Sequence, residues 1–232
     1  MADAVADASW RDDVLEAHSP SERVPRMYSR LSRIYELWAR LTESRARRRV
    51  LELAALDAPE DVLEVATGTG VQLASLAEAN RGGRTAGVEL SKGMLEATRR
   101  RLDAKGLSDA VDLSAGSGLD LPFPNASFDL VVNGYMLDLL PRDDIPRALA
   151  EFRRVLRPGG RLVLSNMTVA ERRRDRLWDW LYSKGVVLTA NCRGVLAAPV
   201  LEELGFAGIE RQYISQMTFP TEIVSARKEA QA

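Results

Sequence analysis

The hydrophobic positions of this chain fall into short blocks whose spacing changes between that of a strand and that of a helix. Apolar runs predict buried strands at residues 62–66, 84–88, 111–114, 128–133 and 161–166. Helical spacing predicts helices at residues 71–80, 91–105 and 143–156. This alternation predicts an α/β fold with a doubly wound, mostly parallel sheet.

The two ends of the chain extend this core. Before it, an apolar stripe that starts at Met27 predicts one helix, and residues 43–56 predict a second. After it, residues 196–204 predict the last helix, and residues 209–214 and 221–227 predict two closing strands, which brings the sheet to seven strands. We therefore divide the chain into a flexible acidic tail at 1–22, an N-terminal helical lid at 23–57 and a main domain at 58–232.

The segment Asp61-Val-Leu-Glu-Val-Ala-Thr-Gly-Thr-Gly70 carries the strongest chemical signal. A buried strand leads into a tight turn with Gly68 and Gly70, and a helix follows, as at the start of a nucleotide-binding unit. Glycine lets the backbone approach a ligand and adopt a positive φ. Glu89 lies nineteen residues after Gly70, at the end of the second strand. Its carboxylate can accept two hydrogen bonds from a ribose diol, so the pattern predicts a ligand that contains a nucleoside.

The glycines that are missing narrow the choice of nucleoside. A dinucleotide-binding turn needs a third glycine three residues after Gly70, and Leu73 occupies that place. A phosphate-binding loop would end in Gly-Lys-Ser/Thr, which is also absent. The turn therefore favours a nucleoside without phosphates.

Five segments, in the correct order, resemble the motifs of class I S-adenosylmethionine-dependent methyltransferases. The resemblance is to the branch that methylates quinones, phospholipids and small metabolites, and it covers roughly residues 28–228. The segments are Tyr28-Ser-Arg-Leu-Ser-Arg-Ile-Tyr-Glu36, Glu64-Val-Ala-Thr-Gly-Thr-Gly70, Val88-Glu-Leu-Ser-Lys-Gly-Met-Leu95, Leu121-Pro-Phe-Pro-Asn-Ala-Ser-Phe-Asp-Leu-Val-Val132 and Leu156-Arg-Pro-Gly-Gly-Arg-Leu-Val-Leu164. It implies a Rossmann-like methyltransferase fold, an antiparallel closing hairpin and S-adenosyl-L-methionine as the cofactor bound by residues 58–232.

The resemblance also assigns site residues. Those implied to bind the cofactor are Tyr28, Glu64, Ala66, Gly68, Gly70, Glu89, Leu90, Met94, Ser117, Gly118, Leu119 and Asn133. Two of them depart from the family pattern, because Ala66 replaces a glycine and Ser117 replaces the acid that often orients adenine. Tyr28 and Asp138 are the candidate catalytic residues: Tyr28 would close over the site, and Asp138 would act as a general base. Residues 166–193 are expected to shape the acceptor pocket.

Composition and charge set further bounds. At 232 residues and 46% hydrophobic, the chain can bury one full core. The net charge of −1 gives no general reason to expect nucleic-acid binding, and one cysteine allows neither an intrachain disulfide nor a thiolate metal site. Residues 23–49, however, hold nine arginines against two glutamates. This run is typical either of a solvated helix face or of a surface for anionic partners.

The sequence leaves the methyl acceptor open. A small natural product or metabolite is the first choice, followed by a prenylated quinone precursor and then a phospholipid headgroup. The lipid-like acceptors would bring arginines 30, 33, 40 and 45–49 against an anionic membrane. The N-terminus lacks a signal peptide's basic region, which predicts a cytoplasmic enzyme, with peripheral contact to the inner membrane face under the lipid hypothesis. A nicotinamide oxidoreductase and a non-catalytic cofactor-binding protein are the competing classes.

Overall fold

A computed structural model describes the backbone of residues 32–183 and 194–230, and the side chains of residues 41–178, 180 and 194–230. The helices are α1 (Ser32–Ala54), α2 (Val71–Ala79), α3 (Lys92–Lys105), α4 (Asp144–Val155), α5 (Arg176–Ser183) and α6 (Ala197–Glu203). The strands are β1 (Asp61–Val65), β2 (Arg84–Glu89), β3 (Val111–Ala115), β4 (Phe128–Gly134), β5 (Leu156–Met167), β6 (Phe206–Gln216) and β7 (Phe219–Lys228). Two short 3₁₀ helices lie at Ser108–Ala110 and Leu137–Leu139.

The strands form one sheet in the order β3-β2-β1-β4-β5-β7-β6. β1 to β5 pair in parallel, whereas β7 pairs antiparallel with both β5 and β6. The predicted seven-stranded, mostly parallel sheet and its closing hairpin are confirmed. The order reverses between β2-β1 and β4, so the carboxyl ends of β1 and β4 form the crevice where ligands bind in this architecture.

Packing on the two sheet faces explains why the apolar runs are continuous. One face is covered by α4 and α6, with Phe152 and Val200 in the core. The other is covered by α1 together with Leu76 of α2 and Trp178 of α5. Strands covered on both faces have no reason to alternate with polar residues.

Helix α1 runs without interruption through the point where the sequence predicts a break between two helices. The predicted boundary falls at residue 43, but none of Thr42, Glu43 and Ser44 is a helix breaker. The last turns of α1 bury Ala46, Val50 and Ala54 in the core, and Arg161 of β5 donates a hydrogen bond to the carbonyl oxygen of Ala54 at 2.8 Å. The C-terminal half of α1 is thus packed on the sheet.

Strand β5 begins five residues earlier than predicted. Its first part contains Gly159 at φ +79°, and its pairing with β4 shifts register between Phe128 and Leu130. The predicted turn at residues 157–160 is therefore present as an irregularity inside the strand. No helix in the described part of the chain is long and apolar enough to cross a membrane.

Candidate active site at the carboxyl ends of β1 and β4

The glycine turn after β1 is held from two sides. The backbone N–H groups of Ala66 and Thr67 donate to the carbonyl oxygen of Val88 at 2.8 and 3.2 Å. On the other side, Thr98 Oγ1 of α3 donates to the carbonyl oxygen of Gly68 at 2.8 Å. A turn fixed by β2 and α3 is preorganised before any ligand arrives, which reduces the entropy lost on binding.

Glu89 is bonded directly to this turn. The N–H of Gly68 donates to Glu89 Oε2, and the N–H of Ser91 donates to Oε1, both at 2.8 Å. Burial raises the pKa of the Glu89 carboxyl, and the N–H groups of Ser91 and Gly68 oppose that rise. A carboxylate has about four lone-pair directions, so each oxygen keeps capacity for a further donor. The structure therefore brings together the predicted glycine turn and Glu89, the residue predicted to bind the ribose.

The three small residues of the turn have left-handed backbones. Gly68 has φ +57° with open space where a Cβ would lie, whereas a Cβ on Gly70 (φ +75°) would lie 2.7 Å from Thr98 Cγ2. The open side of Gly68 is where a ligand can approach, and Gly70 is required by the packing of α2 on α3. Ala66 also has a positive φ of +59°, which explains why glycine is usual at this position of the family motif.

A cavity of about 60 Å³ lies between the turn and helix α1. Its lining residues come from α1, β1, the turn, α2 and the β4–β5 edge: Glu43, Arg47, Val50, Glu64, Ala66, Thr67, Gly68, Thr69, Gln72, Val132, Gly134, Tyr135 and Ser165. The cavity is therefore enclosed by residues from distant parts of the chain and lies directly beside the glycine turn.

Glu64 is the cavity residue with the most unusual environment. Its side chain is 3% exposed, and its Oε2 atom has no hydrogen-bond partner in the described part of the protein. Burial raises the pKa of Glu64 well above its usual value; the positive charge of Arg47 opposes the rise, and the negative charge of Glu89 adds to it. A buried acceptor needs a donor, and for Glu64 a ligand or a water in the adjoining cavity can supply it.

Helix α1 contributes charges that sequence reasoning missed. Glu43, 1% exposed, and Arg47 form an i,i+4 ion pair at 2.7 Å on the cavity wall opposite Glu64. The sequence analysis treats the arginines at 45–49 as a solvated or membrane-facing surface, but Arg47 points into the cavity. The Glu-x-x-x-Arg spacing is the only signal available in the sequence, and it also fits a surface pair.

Asn133 lies at the end of β4 but not in this cavity. It is paired across the sheet with Val65, the residue after Glu64, so the side chains of Asn133 and Glu64 point to opposite faces. Asn133 Nδ2 donates to the carbonyl oxygen of Val65 at 2.8 Å, and its Oδ1 has no partner among the described residues. Its contact with the cofactor stays a prediction.

The residues predicted around the adenine lie along the crevice beyond Glu89. Leu90 is 60% exposed, whereas Met94 is 4% exposed and packed within α3. Ser117 Oγ accepts from the N–H of Leu119 at 3.1 Å, and a Cβ on Gly118 would lie 2.8 Å from Met136 Sδ. Ser117 therefore stabilises its own turn, and its contact with adenine stays a prediction.

Of the two candidate catalytic residues, the structure describes Asp138 but not Tyr28. Asp138 lies in the 3₁₀ helix at Leu137–Leu139, is fully buried and does not line the cavity. Tyr28 lies outside the described residues. Of the predicted acceptor segment at 166–193, the end of β5 and helix α5 are described and residues 184–193 are not. Tyr135, by contrast, does line the cavity; its hydroxyl shares a hydrogen bond with Thr221 Oγ1 at 3.0 Å, and burial raises its pKa well above the usual value.

A sheet of this strand order, with a glycine turn after β1 and an acid at the end of β2, has the architecture of the Rossmann-like methyltransferases. A family model described as a methyltransferase domain matches residues 62–160. The demethylmenaquinone methyltransferase of Lactiplantibacillus plantarum is 32% identical over 163 residues, which cover 69% of this chain and 67% of the relative. The chain therefore belongs to the class I S-adenosylmethionine-dependent methyltransferases, as its motifs predict.

Other relatives match a smaller share of their own length. The demethylmenaquinone methyltransferase of Thermus thermophilus is 37% identical over 60% of this chain and 63% of its own. That of Symbiobacterium thermophilum is 42% identical, but the match spans only 41% of its length. The nocamycin O-methyltransferase of Saccharothrix syringae is 33% identical over 60% of this chain and 49% of its own.

Solved structures share the fold at low sequence identity. The [4+2]-cyclase SpnF superposes with a TM-score of 0.69 at 20% identity, over 93% of this chain and 99% of that one. An S-adenosylmethionine-dependent methyltransferase of Thermotoga maritima gives a TM-score of 0.65 at 20% identity, over 89% of this chain and 100% of that one. At such identity the likeness establishes the fold alone, since one fold hosts different reactions.

Proposed function

We propose that this protein binds S-adenosylmethionine through the glycine turn and Glu89 and transfers its methyl group to a small-molecule acceptor. The environment of Glu64 carries the proposal. Its carboxyl group is buried, and one of its oxygens has no hydrogen-bond partner among the described residues. It lines the cavity that lies beside the open side of Gly68. The methionine end of the cofactor carries an ammonium group that would supply the missing donor and compensate the buried charge.

The residues around the cavity fit the demands of methyl transfer. A bound sulfonium supplies an activated methyl group, so the acceptor atom forms a bond to the methyl carbon as the carbon–sulfur bond breaks and S-adenosylhomocysteine leaves. The protein has to hold the two partners in line and exclude water. Val50 and Val132 provide apolar wall, and Glu64 fixes the donor end. An acceptor that arrives as a phenol or ammonium also needs a base, which is the role predicted for Asp138.

The names of the relatives bear on two of the three candidate acceptors. The name demethylmenaquinone methyltransferase points to a prenylquinone acceptor, whereas the name nocamycin O-methyltransferase points to methylation at oxygen. A small natural product or metabolite is retained as the first candidate class and a prenylquinone as the second. A phospholipid headgroup is the third, and no relative named here supports it.

Binding is tested first, because it separates methyl transfer from the competing classes. Calorimetric titration of wild type should give binding of both S-adenosylmethionine and S-adenosylhomocysteine. Glu64→Gln and Glu89→Ala should weaken it at least ten-fold, and Glu202→Gln, an exposed glutamate on α6, should leave it unchanged. A response to a nicotinamide cofactor in place of both ligands would contradict the proposal; the fully buried Leu73, which packs beneath Gly87, argues against that response.

Turnover is tested next with labelled methyl donor. Product analysis by mass spectrometry, over a panel of phenolic, amine and short-chain demethylnaphthoquinol acceptors, would identify the methylated atom. Methylation of the naphthoquinol ring carbon would establish the second candidate over the first. Tight binding of the donor without turnover on any acceptor would instead favour a non-catalytic cofactor-binding protein.

A further inference from the structure

Large exposed apolar side chains are concentrated at one corner of the molecule. Among the described side chains, those that qualify are Leu41, Leu90, Leu177, Trp180 and Met217. Leu90 lies at the nucleoside crevice. The other four lie on α1, on α5 and at the turn between β6 and β7.

Hydrogen bonds join these three elements at the turn. Gln216, at the end of β6, donates from Nε2 to the carbonyl oxygen of Leu41 at 2.7 Å and accepts from the N–H of Arg45 at 2.8 Å. On the other side, Trp178 Nε1 of α5 donates to Thr218 Oγ1 at 3.1 Å. Leu177 and Trp180 are three residues apart on α5 and so share its outer face. The four apolar side chains therefore belong to one surface, which we call the hairpin corner.

The turn itself is an unusual choice of residues. Met217 and Thr218 both have positive φ, +52° and +65°, as in the two-residue hairpin turn that normally contains Asn-Gly. Residues with a Cβ are strained in this conformation. The hydroxyl of Thr218 is used by Trp178, but the Met217 side chain is 68% exposed. Asn or Gly would suit position 217 better, so the turn itself does not explain an exposed thioether side chain there.

The hairpin corner is surrounded by positive charge. Its exposed arginines are Arg45, Arg48, Arg172, Arg173, Arg174 and Arg176. Three acids on the same stretches of chain have described side chains. Glu43 and Asp175 are buried and lie within 4 Å of Arg47 and Arg174, and Glu171 pairs with Arg211 of β6. The described charged side chains at this surface are therefore mainly positive.

We propose that the hairpin corner docks on an anionic lipid surface, with Met217, Trp180, Leu177 and Leu41 entering the headgroup region and the arginines contacting lipid phosphates. Apolar anchors ringed by arginine are the composition of interfacial binding sites. Nucleic acid suits this surface less well, because bulky apolar side chains gain nothing against a phosphate backbone. The chain as a whole also carries a net charge of −1.

Docking at this corner also deepens the proposed function, on which this part of the inference rests. Trp178 and Phe219 are in edge-to-face contact at 5.2 Å, and Phe219 contacts Tyr135, which lines the cavity. The docked face therefore lies at the carboxyl end of the parallel strands, where the active site also lies. A membrane-dissolved acceptor would reach the methyl donor without crossing bulk water.

The test is vesicle flotation of the full chain, which needs neither cofactor nor turnover. Wild type should float with phosphatidylcholine vesicles that contain phosphatidylglycerol and stay behind with phosphatidylcholine alone. Arg173→Gln/Arg176→Gln should lower the partition coefficient roughly 30-fold, since each arginine near an anionic surface contributes about a five-fold factor. The control pair Arg99→Gln/Arg100→Gln, exposed on α3 near the opposite edge of the sheet, should change it less than two-fold.

Met217→Asn gives the most selective arm. It removes the apolar tip and suits the turn better, so the variant should bind vesicles several-fold more weakly while unfolding at the same or a higher temperature. Equal recovery with neutral and anionic vesicles, equal losses in both arginine pairs, or binding to nucleic acid but not to vesicles would each overturn the proposal. A variant that no longer floats with vesicles should still bind S-adenosylmethionine in calorimetry. Failure of the docking proposal can therefore be distinguished from failure of the proposed function.

Discussion

Glu64 illustrates how a single residue can favour ligand binding at the expense of the fold. Its carboxyl group is buried, and it depends on Arg47 for partial compensation. A site that accepts a cationic ligand has to keep such a group ready to ionise. The result is a local instability in the ligand-free protein.

We therefore expect Glu64→Gln to stabilise the ligand-free protein at neutral pH. The folded-state pKa of Glu64 is raised above its unfolded value of about 4.3, so ionisation favours the unfolded chain as pH rises between those two values. Glutamine cannot ionise. Urea unfolding should give similar stabilities for both proteins near pH 4 and a more stable variant near pH 7. A less stable variant near pH 7 would mean that the carboxylate is fully compensated in the native state.

Ala66 is a second residue whose cost can be measured. Its positive φ disfavours alanine by about 1–2 kcal/mol, and glycine loses about 0.5–1 kcal/mol through its freedom in the unfolded chain. Ala66→Gly should therefore range from neutral to about 1.5 kcal/mol stabilising. Ala97→Gly, in regular helix α3, should cost about 1 kcal/mol. Equal destabilisation of the two variants would show that the backbone at Ala66 is unstrained.

At the scale of elements, the two glycines of the β1–α2 turn have different roles: Gly70 allows close helix packing, and Gly68 leaves space for a ligand. Gly70→Ala places a Cβ against Thr98 and forces a positive φ, so it should destabilise the protein by about 1–4.5 kcal/mol once the lower entropy of the unfolded chain is counted. Gly68→Ala places its Cβ in open space and should cost at most about 1.5 kcal/mol, while its methyl group blocks the ligand side.

The comparison needs both stability and binding. Thermal unfolding should separate Gly70→Ala from Gly68→Ala, and calorimetry with S-adenosylhomocysteine should find binding abolished in the latter although it is folded. Thr98→Ser removes the Cγ2 atom, so it should partly rescue Gly70→Ala and give Gly68→Ala no benefit. Unchanged ligand binding in Gly68→Ala would move the nucleoside away from this turn.

At the scale of the whole molecule, ligand binding should be linked to global unfolding. The proposed site draws on β1, β2, α1, α2 and the β4–β5 edge, so a ligand there binds only the folded chain. At one hundred times its dissociation constant, S-adenosylhomocysteine should add about 2.7 kcal/mol. For a chain of this size that corresponds to a rise in Tm of roughly 5–11 °C.

Scanning calorimetry of wild type and Glu89→Ala checks this linkage. The variant should unfold cooperatively and show at most about half of the wild-type rise in Tm at the same ligand concentration, because the ribose loses its acceptor and a Kd ten-fold weaker leaves about 1.4 kcal/mol. A rise of the same size in both proteins would assign Glu89 a purely structural role, as the partner of Gly68 and Ser91.

Most of the fold could be predicted because its signals are local. The core strands are buried on both faces and read as continuous apolar runs, and Gly68, Gly70 and Glu89 have types that their backbone or chemistry demands. That these residues meet follows from topology, since the ends of adjacent parallel strands share one edge. The uninterrupted helix α1 and the early start of β5 were predicted incorrectly because polar residues and glycines are weak boundary signals.

What the sequence by itself determined was the class of fold, the glycine turn and the acid at the end of β2. Only the tertiary structure decided which charges surround the cavity. The side of α1 that faces the sheet depends on packing between distant segments, so Glu43 and Arg47 could not be told from a surface pair. The opposite orientations of Glu64 and Asn133 depend on strand register, and the strained turn at Met217 depends on hairpin geometry. Periodicity records which residues are buried, but only long-range packing determines what they are buried against.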